Sequence, residues 1–250
     1  MKRLLRKIHR WLGLLMALQI LAWFGSGLYF SWYPIAEIRG EHLTRAPDVL
    51  GSPMLEGLGS PDGIVAALNE HFDEAWDLSA VELAEVEGRA RWLVRGDVSG
   101  KPFSRLVEPG QARVVPMLPG EDSASRASRW LLEPAEAVSS EWVAPGSGFP
   151  DFRGRESAAW RVDFDGEEPV SLYIDPWTGE LLARRTTRWR LFDFFWMLHV
   201  MDYDTRDDFN HPLLQLAASL GLLIVLSGVV YWFMSSRLFR RRKSRPASAS

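Results

Sequence analysis

Residues 212–234 read PLLQLAASLGLLIVLSGVVYWFM, a run without a single Asp, Glu, Lys or Arg, and RLFRRRKSR follows at 237–245. At ~1.5 Å rise per residue, such a run crosses the ~30 Å hydrocarbon core of a bilayer as one helix. Residues 11–32, WLGLLMALQILAWFGSGLYFSW, repeat the pattern in mirror order, with Lys2, Arg3, Arg6, Lys7 and Arg10 in front of them. Basic residues stay on the cytoplasmic side of a span. The reading is therefore two transmembrane helices, at 11–32 and 212–234, with basic tails 1–10 and 235–250 in the cytoplasm. Everything between the helices lies outside, which in a bacterial inner membrane means the periplasm.

Charge agrees with this layout. Between the two basic ends lie all 32 acidic residues against 18 Lys and Arg, so a whole-chain charge of −3 conceals a central region of −14. The basic ends are explained by topology and anionic lipid headgroups and call for no nucleic acid. The first apolar run exceeds the ~7–15 residues of a signal-peptide core, and no A-x-A-like cleavage site follows it. Trp32-Tyr33-Pro34 closes it as an aromatic belt would, so it reads as an uncleaved signal anchor. Cysteine is absent, which excludes disulfides, thiolate zinc sites, iron–sulfur clusters and C-x-x-C-H haem attachment.

Residues 33–61 are rich in Pro and Gly and read as a connector. From 62 to 118 the pattern predicts a helix (Ile64, Val65, Ala67, Leu68, His71, Phe72) and a strand around Val81–Val86. A hairpin of 91–94 with 103–107 and a further strand at 112–115 complete it. From 119 to 186 the order recurs: a helix over 123–132, a strand at 138–143, a hairpin of 159–162 with 170–174, and a strand at 181–183. Trp92 corresponds to Trp160 and Pro109 to Pro176, an internal repeat that should place both indoles facing inward. The fold class is α+β: two transmembrane helices flank a domain of two helix-plus-antiparallel-strand units, and an interfacial amphipathic helix at 187–201 and a loop at 202–211 precede the second span.

The phrase VSLYIDPWTGELLARR (170–185), after a Trp-containing strand, resembles the closing hairpin of PepSY modules. RKIHRWLGLLMALQILAWFGSGLYFSW (6–32) resembles the first membrane segment of PepSY-associated transmembrane proteins. FWMLHVMDY (195–203) and FNHPLLQLAASLGLLIVLSGVVYWF (209–233) resemble their closing segment. The resemblance implies an envelope protein. Some larger members are haem-containing reductases acting on ferric siderophores, while soluble PepSY modules are regarded as binding or protease-inhibitory units.

No H-E-x-x-H, G-x-S-x-G, P-loop or dinucleotide fingerprint is present. Histidine remains. Trp189, Phe192, Trp196 and His199 share one helix face by their three-four-three spacing, and His211 stands before Pro212 where an N-cap belongs. One reading makes His199 and His211 the two outer-side axial ligands of a b-type haem, with Trp196 lining the pocket. The plainer reading gives them capping and interfacial hydrogen bonds. His9, among bases at the mouth of the first helix, divides between an interfacial residue and the haem or quinone contact that the resemblance supports; His42 and His71 read as structural. The acidic loop MDYDTRDDFN (201–210) lacks the glycine and closing Glu of an EF-hand and reads as solvated rather than calcium-binding. Ala22/Ser26 and Ala217/Gly221 give small-x-x-x-small spacing for close contact, within the hairpin or between the protomers of a homodimer.

Two functions follow. In the first, the chain is an anchored, non-enzymatic PepSY module that binds an envelope partner protein or peptide. In the second, it is a haem-binding subunit of an electron-transfer or ferric-siderophore reductase system in iron uptake. An electron path across the bilayer needs redox centres near both faces, and His9 has no histidine opposite it on the second helix, where Tyr231 and Trp232 stand. The inventory therefore favours the first.

Overall fold

A computed structural model describes residues 2–46, 61–86, 88–155 and 157–236. The basic cluster beyond Ser236 and connector residues 47–60 lie outside the described residues. In chain order the elements are α1 (Lys2–Trp32), α2 (Ile35–Ile38), a 3₁₀ turn (Glu41–Leu43), α3 (Gly63–His71), β1 (Trp76–Val86), β2 (Arg89–Val98) and β3 (Lys101–Val107). There follow α4 (Gly120–Ser128), β4 (Ala137–Val143), a second 3₁₀ turn (Pro150–Phe152), β5 (Ala159–Phe164), β6 (Val170–Ile174), β7 (Leu181–Thr186), α5 (Thr187–Val200) and α6 (Pro212–Ser235). The chain forms two compact units, one of residues 33–191 and one of the two ends, 1–32 and 192–250.

In the terminal unit, α1 and α6 pack against each other through Met16, Ala217 and Ile224, flanked by Leu12, Ile20, Trp23 and Leu220. Both are long and apolar enough to span a bilayer, over Arg6–Trp32 and Pro212–Ser235. Their other faces are bare hydrocarbon: Leu18 is 82% exposed and Phe24 75%. Lipid is the solvent that tolerates such a surface. The helix begins well before Trp11 because the basic residues 2–10 continue it rather than cap it.

The central unit holds two antiparallel sheets, β1-β2-β3 and β4-β5-β6-β7. Each has a helix on one face. Ile64, Ala67 and Leu68 of α3 bury against Val94, Phe103 and Val107, while Ala127 of α4 and the following Leu131 bury against Val162, Phe164, Leu172 and Ile174. The far face of the second sheet is covered by Phe152, which stacks on the fully buried Tyr173 at 4.8 Å and 5°.

The register aligns the two sheets. Trp92 pairs with Val107, just before Glu108-Pro109, and Trp160 with Ile174, just before Asp175-Pro176. Both indoles lie on the helix-bearing face and both are half-buried, Trp92 against the α3 core and Trp160 with its Nε1–H on the Leu118 carbonyl at 3.0 Å. The alignment also exposes a divergence. Val94 pairs with Arg105 where Val162 pairs with the fully buried Leu172, so the first sheet carries a guanidinium where the second has a core leucine.

Several boundaries differ from the sequence reading. β2 runs on to Val98, so the turn shrinks to Ser99-Gly100. α4 stops at Ser128 because the chain after it pairs elsewhere: Arg45 donates its N–H to the Trp130 carbonyl, and Leu132 donates to Leu43. The strand expected at 112–115 is a single bridge, Val107 to Val114. Before residue 47 the connector forms α2 and a 3₁₀ turn.

Candidate functional site

Two of the three histidines of the terminal unit, His199 and His211, are built around one helix end. A helix leaves its last carbonyls without intrahelical donors, and at membrane depth no water replaces them. At the C-terminus of α5 three successive carbonyls each have a foreign donor. Gln19 Nε2 donates to Leu198 at 2.9 Å, Trp23 Nε1 to His199 at 2.8 Å, and His211 Nε2 meets Val200 at 2.9 Å. His211 also accepts the Leu214 N–H on Nδ1 at 3.4 Å, which makes it the N-cap of α6. Both of its ring nitrogens are therefore occupied.

His199 sits with its Nδ1 2.6 Å from the fully buried Ser26 hydroxyl, and that hydroxyl donates to the Ala22 carbonyl at 2.7 Å. The Ser26 hydroxyl thus stands between the Ala22 carbonyl and the imidazole, and only Nδ1 of the ring is engaged by it. The ring stacks on Trp196 at 6.4 Å and 8° and meets the edge of Phe30 at 5.5 Å. Burial lowers its pKa below the ordinary histidine value. Trp196 donates to the Arg206 carbonyl at 2.8 Å, and Arg206 pairs with the buried Asp193, so this aromatic stack pins the middle of the acidic loop.

A bis-histidine haem site does not fit these residues. It needs one unshared nitrogen on each of His199 and His211, and His211 has none. His9 stands elsewhere on α1, its Nδ1 3.2 Å from the Ile224 carbonyl and 3.1 Å from Ser227 Oγ, in a notch where a side chain at Gly228 would come within 3.1 Å of its ring. The 17 residues between His9 and Ser26 amount to ~25 Å of helix.

The acidic loop is organised by its own amides. Asp202 accepts from the backbone N–H of Asp204, Thr205, Asp207 and Asp208 and from the Thr205 hydroxyl at 2.6 Å. The Thr205 hydroxyl and these amides hold its carboxyl far below the usual carboxylate range. Among the described residues no group of three His, Asp or Glu side chains is placed to hold a metal ion.

Substituting His211 by Ala removes two hydrogen bonds and is expected to cost ~1–2 kcal/mol, read as a lower unfolding temperature in detergent; His211→Asn, which keeps a capping acceptor, should lose less. The absorption spectrum should be the same flat Soret region in all three proteins.

The central unit contains a cleft of about 950 Å³, in the range of ligand sites. Val86, Leu93 and Leu106, buried as one small cluster on the helix-free face of the first sheet, form its apolar floor. Arg45, Arg126, Arg129 and Arg184 border it from three separate chain segments. None of these arginines was singled out in the sequence. The only local signal was the i, i+3 pair Arg126/Arg129 on α4 and the residue after it, since Arg45 and Arg184 arrive through tertiary pairing.

A second constellation was equally hidden. Arg105 lies 3.7 Å over the ring of Trp177, its Nε–H donates to His71 Nε2 at 3.1 Å, and burial pushes its pKa down to about 10. It ties α3 and β3 to the β6–β7 turn, which Asp175 shapes by accepting the N–H of Trp177 and Thr178 at 2.7 and 2.8 Å. His42, expected to be structural, bonds Glu168 at 2.9 Å.

Comparison with curated proteins and with solved structures gave no match. A family model described as the PepSY-associated TM region matches residues 6–249. Spanning both apolar helices and the two sheets between them, that match shows that this chain is a membrane protein belonging to the PepSY-associated TM region family.

Proposed function

We propose that this protein is an inner-membrane-anchored PepSY module that acts as a non-enzymatic binding or accessory protein of the cell envelope. Its central unit lies in the periplasm and both termini in the cytoplasm. The cleft carries the reading: an apolar floor bordered by four arginines, in a region with a charge of −14, suits recognition of a partner. The engagement of the membrane histidines in helix capping and packing supports an anchor rather than a haem carrier. The orientation rests on the basic residues at both chain ends.

The absence of cysteine makes the test direct. Ser125→Cys, exposed on α4, should react with a membrane-impermeant maleimide in spheroplasts, and Arg3→Cys only after permeabilisation; the reverse pattern would invert the topology. Photo-crosslinking residues placed at Ala46 and Arg129 on the cleft rim, and at Val138 and Trp142 on β4, should yield adducts with a periplasmic protein. Absence of adducts at all four positions would defeat the binding reading. A Soret band in purified protein, lost on His199→Ala, would instead support the haem-subunit alternative, with the second ligand supplied across a protomer interface.

A further inference from the structure

We infer that the cleft takes an extended, acidic peptide strand laid along the edge of β1; the inference rests on the binding reading above. Five consecutive residues of β1, Glu82–Val86, line the cleft, and β1 is the outer strand of its sheet with no strand beyond it among the described residues. A row of five extended residues offers ~17 Å of backbone donors and acceptors, the template used when a peptide adds itself to a sheet. Long open edges are hazards that proteins blunt unless they use them. Here the edge opens onto a built cleft.

The lining states what the strand must carry. Side chains of an extended chain alternate, so a strand that lays one row on Val86, Leu93 and Leu106 leaves its other row for polar residues in a cleft bordered by arginines. Of the cleft's own acids, Glu82 and Glu180 flank Arg95 at 2.6 and 3.8 Å, and Glu85 accepts the Gly88 N–H at 2.5 Å. Arg45 and Arg184 bond neutral acceptors, the Leu131 carbonyl at 3.0 Å and the Thr44 hydroxyl at 2.5 Å, with the Glu41 carboxylate also acting on Arg184. An alternation of apolar and carboxylate residues matches both rows, and one of apolar and lysine residues places like charges on the arginine side.

The experiment uses the full chain in nanodiscs and two fluorescein-labelled nine-residue probes, VEVEVEVEV and VKVKVKVKV, read by fluorescence anisotropy. The Glu probe should bind saturably and the Lys probe should not. Arg45→Glu with Arg129→Glu, at two exposed positions, should weaken the Glu probe about ten-fold or more when compared at a temperature where both proteins are folded, as their unfolding curves establish. N-methylating alternate amides of the Glu probe should weaken it comparably, since strand addition needs those donors. Equal binding of both probes, indifference to the double substitution, or indifference to N-methylation would each overturn the inference. So would self-association of the protein that the double substitution abolishes, because a second copy would then occupy the cleft. Adducts at Val138 or Trp142 together with no Glu-probe binding would sink this assignment while leaving the binding function intact; no adducts at any position would remove the function itself.

Discussion

Gly96→Ala is expected to disrupt the first sheet. A Cβ at this position would lie 2.1 Å from the Asp77 carbonyl oxygen and 2.8 Å from two ring carbons of Phe103. Gly96 pairs with Leu78 on one side and Phe103 on the other, in the middle of a three-stranded sheet, so neither backbone can withdraw without breaking its ladder. Overpacking of this kind costs ~3 kcal/mol or more, at the upper end for an inserted methyl, because the obstacle is main chain rather than a movable side chain. The measurement is thermal or denaturant unfolding of the detergent-solubilised protein, with limited proteolysis between residues 61 and 118. Gly63→Ala, whose Cβ would make only ordinary 3.5 Å contacts on α3, serves as the control and should be near neutral or slightly stabilising. Equal stability of the two variants would show that the β1–β2 register is wrong.

Removing the Arg105 guanidinium should have the next largest effect. Arg105→Ala gives up the Trp177 stacking, the His71 contact and packing against Phe72 and Phe103, and is expected to cost ~2–3 kcal/mol. In a double-mutant cycle with Trp177→Ala the coupling should reach ~1–2 kcal/mol, the mark of a direct contact; a coupling near zero would show that Arg105 does not join the two sheets through that ring. The pair also predicts a pH dependence. Burial first, and then the Arg105 charge, lower the His71 pKa below 6.5. Between the folded value and ~6.5 the unfolded chain binds the extra proton, so this stabilisation is complete above ~6.5 and fades as pH falls through the folded value. Arg105→Ala removes one of the two causes and should flatten that acid limb.

How much of this was legible in sequence depends on the range of each interaction. The spans were legible because a bilayer demands a contiguous apolar run, and the antiparallel strands because alternation and turn residues are local. Trp92 and Trp160 could be matched by spacing alone, and the pairing places them alike. The end of α4 could not be read, because Trp130 and Leu131 were helical by periodicity and were drawn off by residues 43–45, some 85 positions away. His199 and His211 were found as notable residues, yet the sequence could not say that one ring would be spent on a Val200 carbonyl and the other backed by Ser26. The cleft was invisible for the same reason: its arginines come from residue 45, from α4 and from β7, and no window contains them together.

The carbonyls at the end of α5 also set an order of birth. Gln19 and Trp23 leave the ribosome long before Leu198 and His199, whereas His211 emerges after Val200 and ahead of the whole final span. Until His211 has been made, the Val200 carbonyl at the end of α5 lacks the donor it has in the folded chain. Assembly of the terminal unit therefore closes from the back, with the last helix acting as the bolt. A nascent chain arrested before His211 would leave the Val200 carbonyl without its side-chain donor.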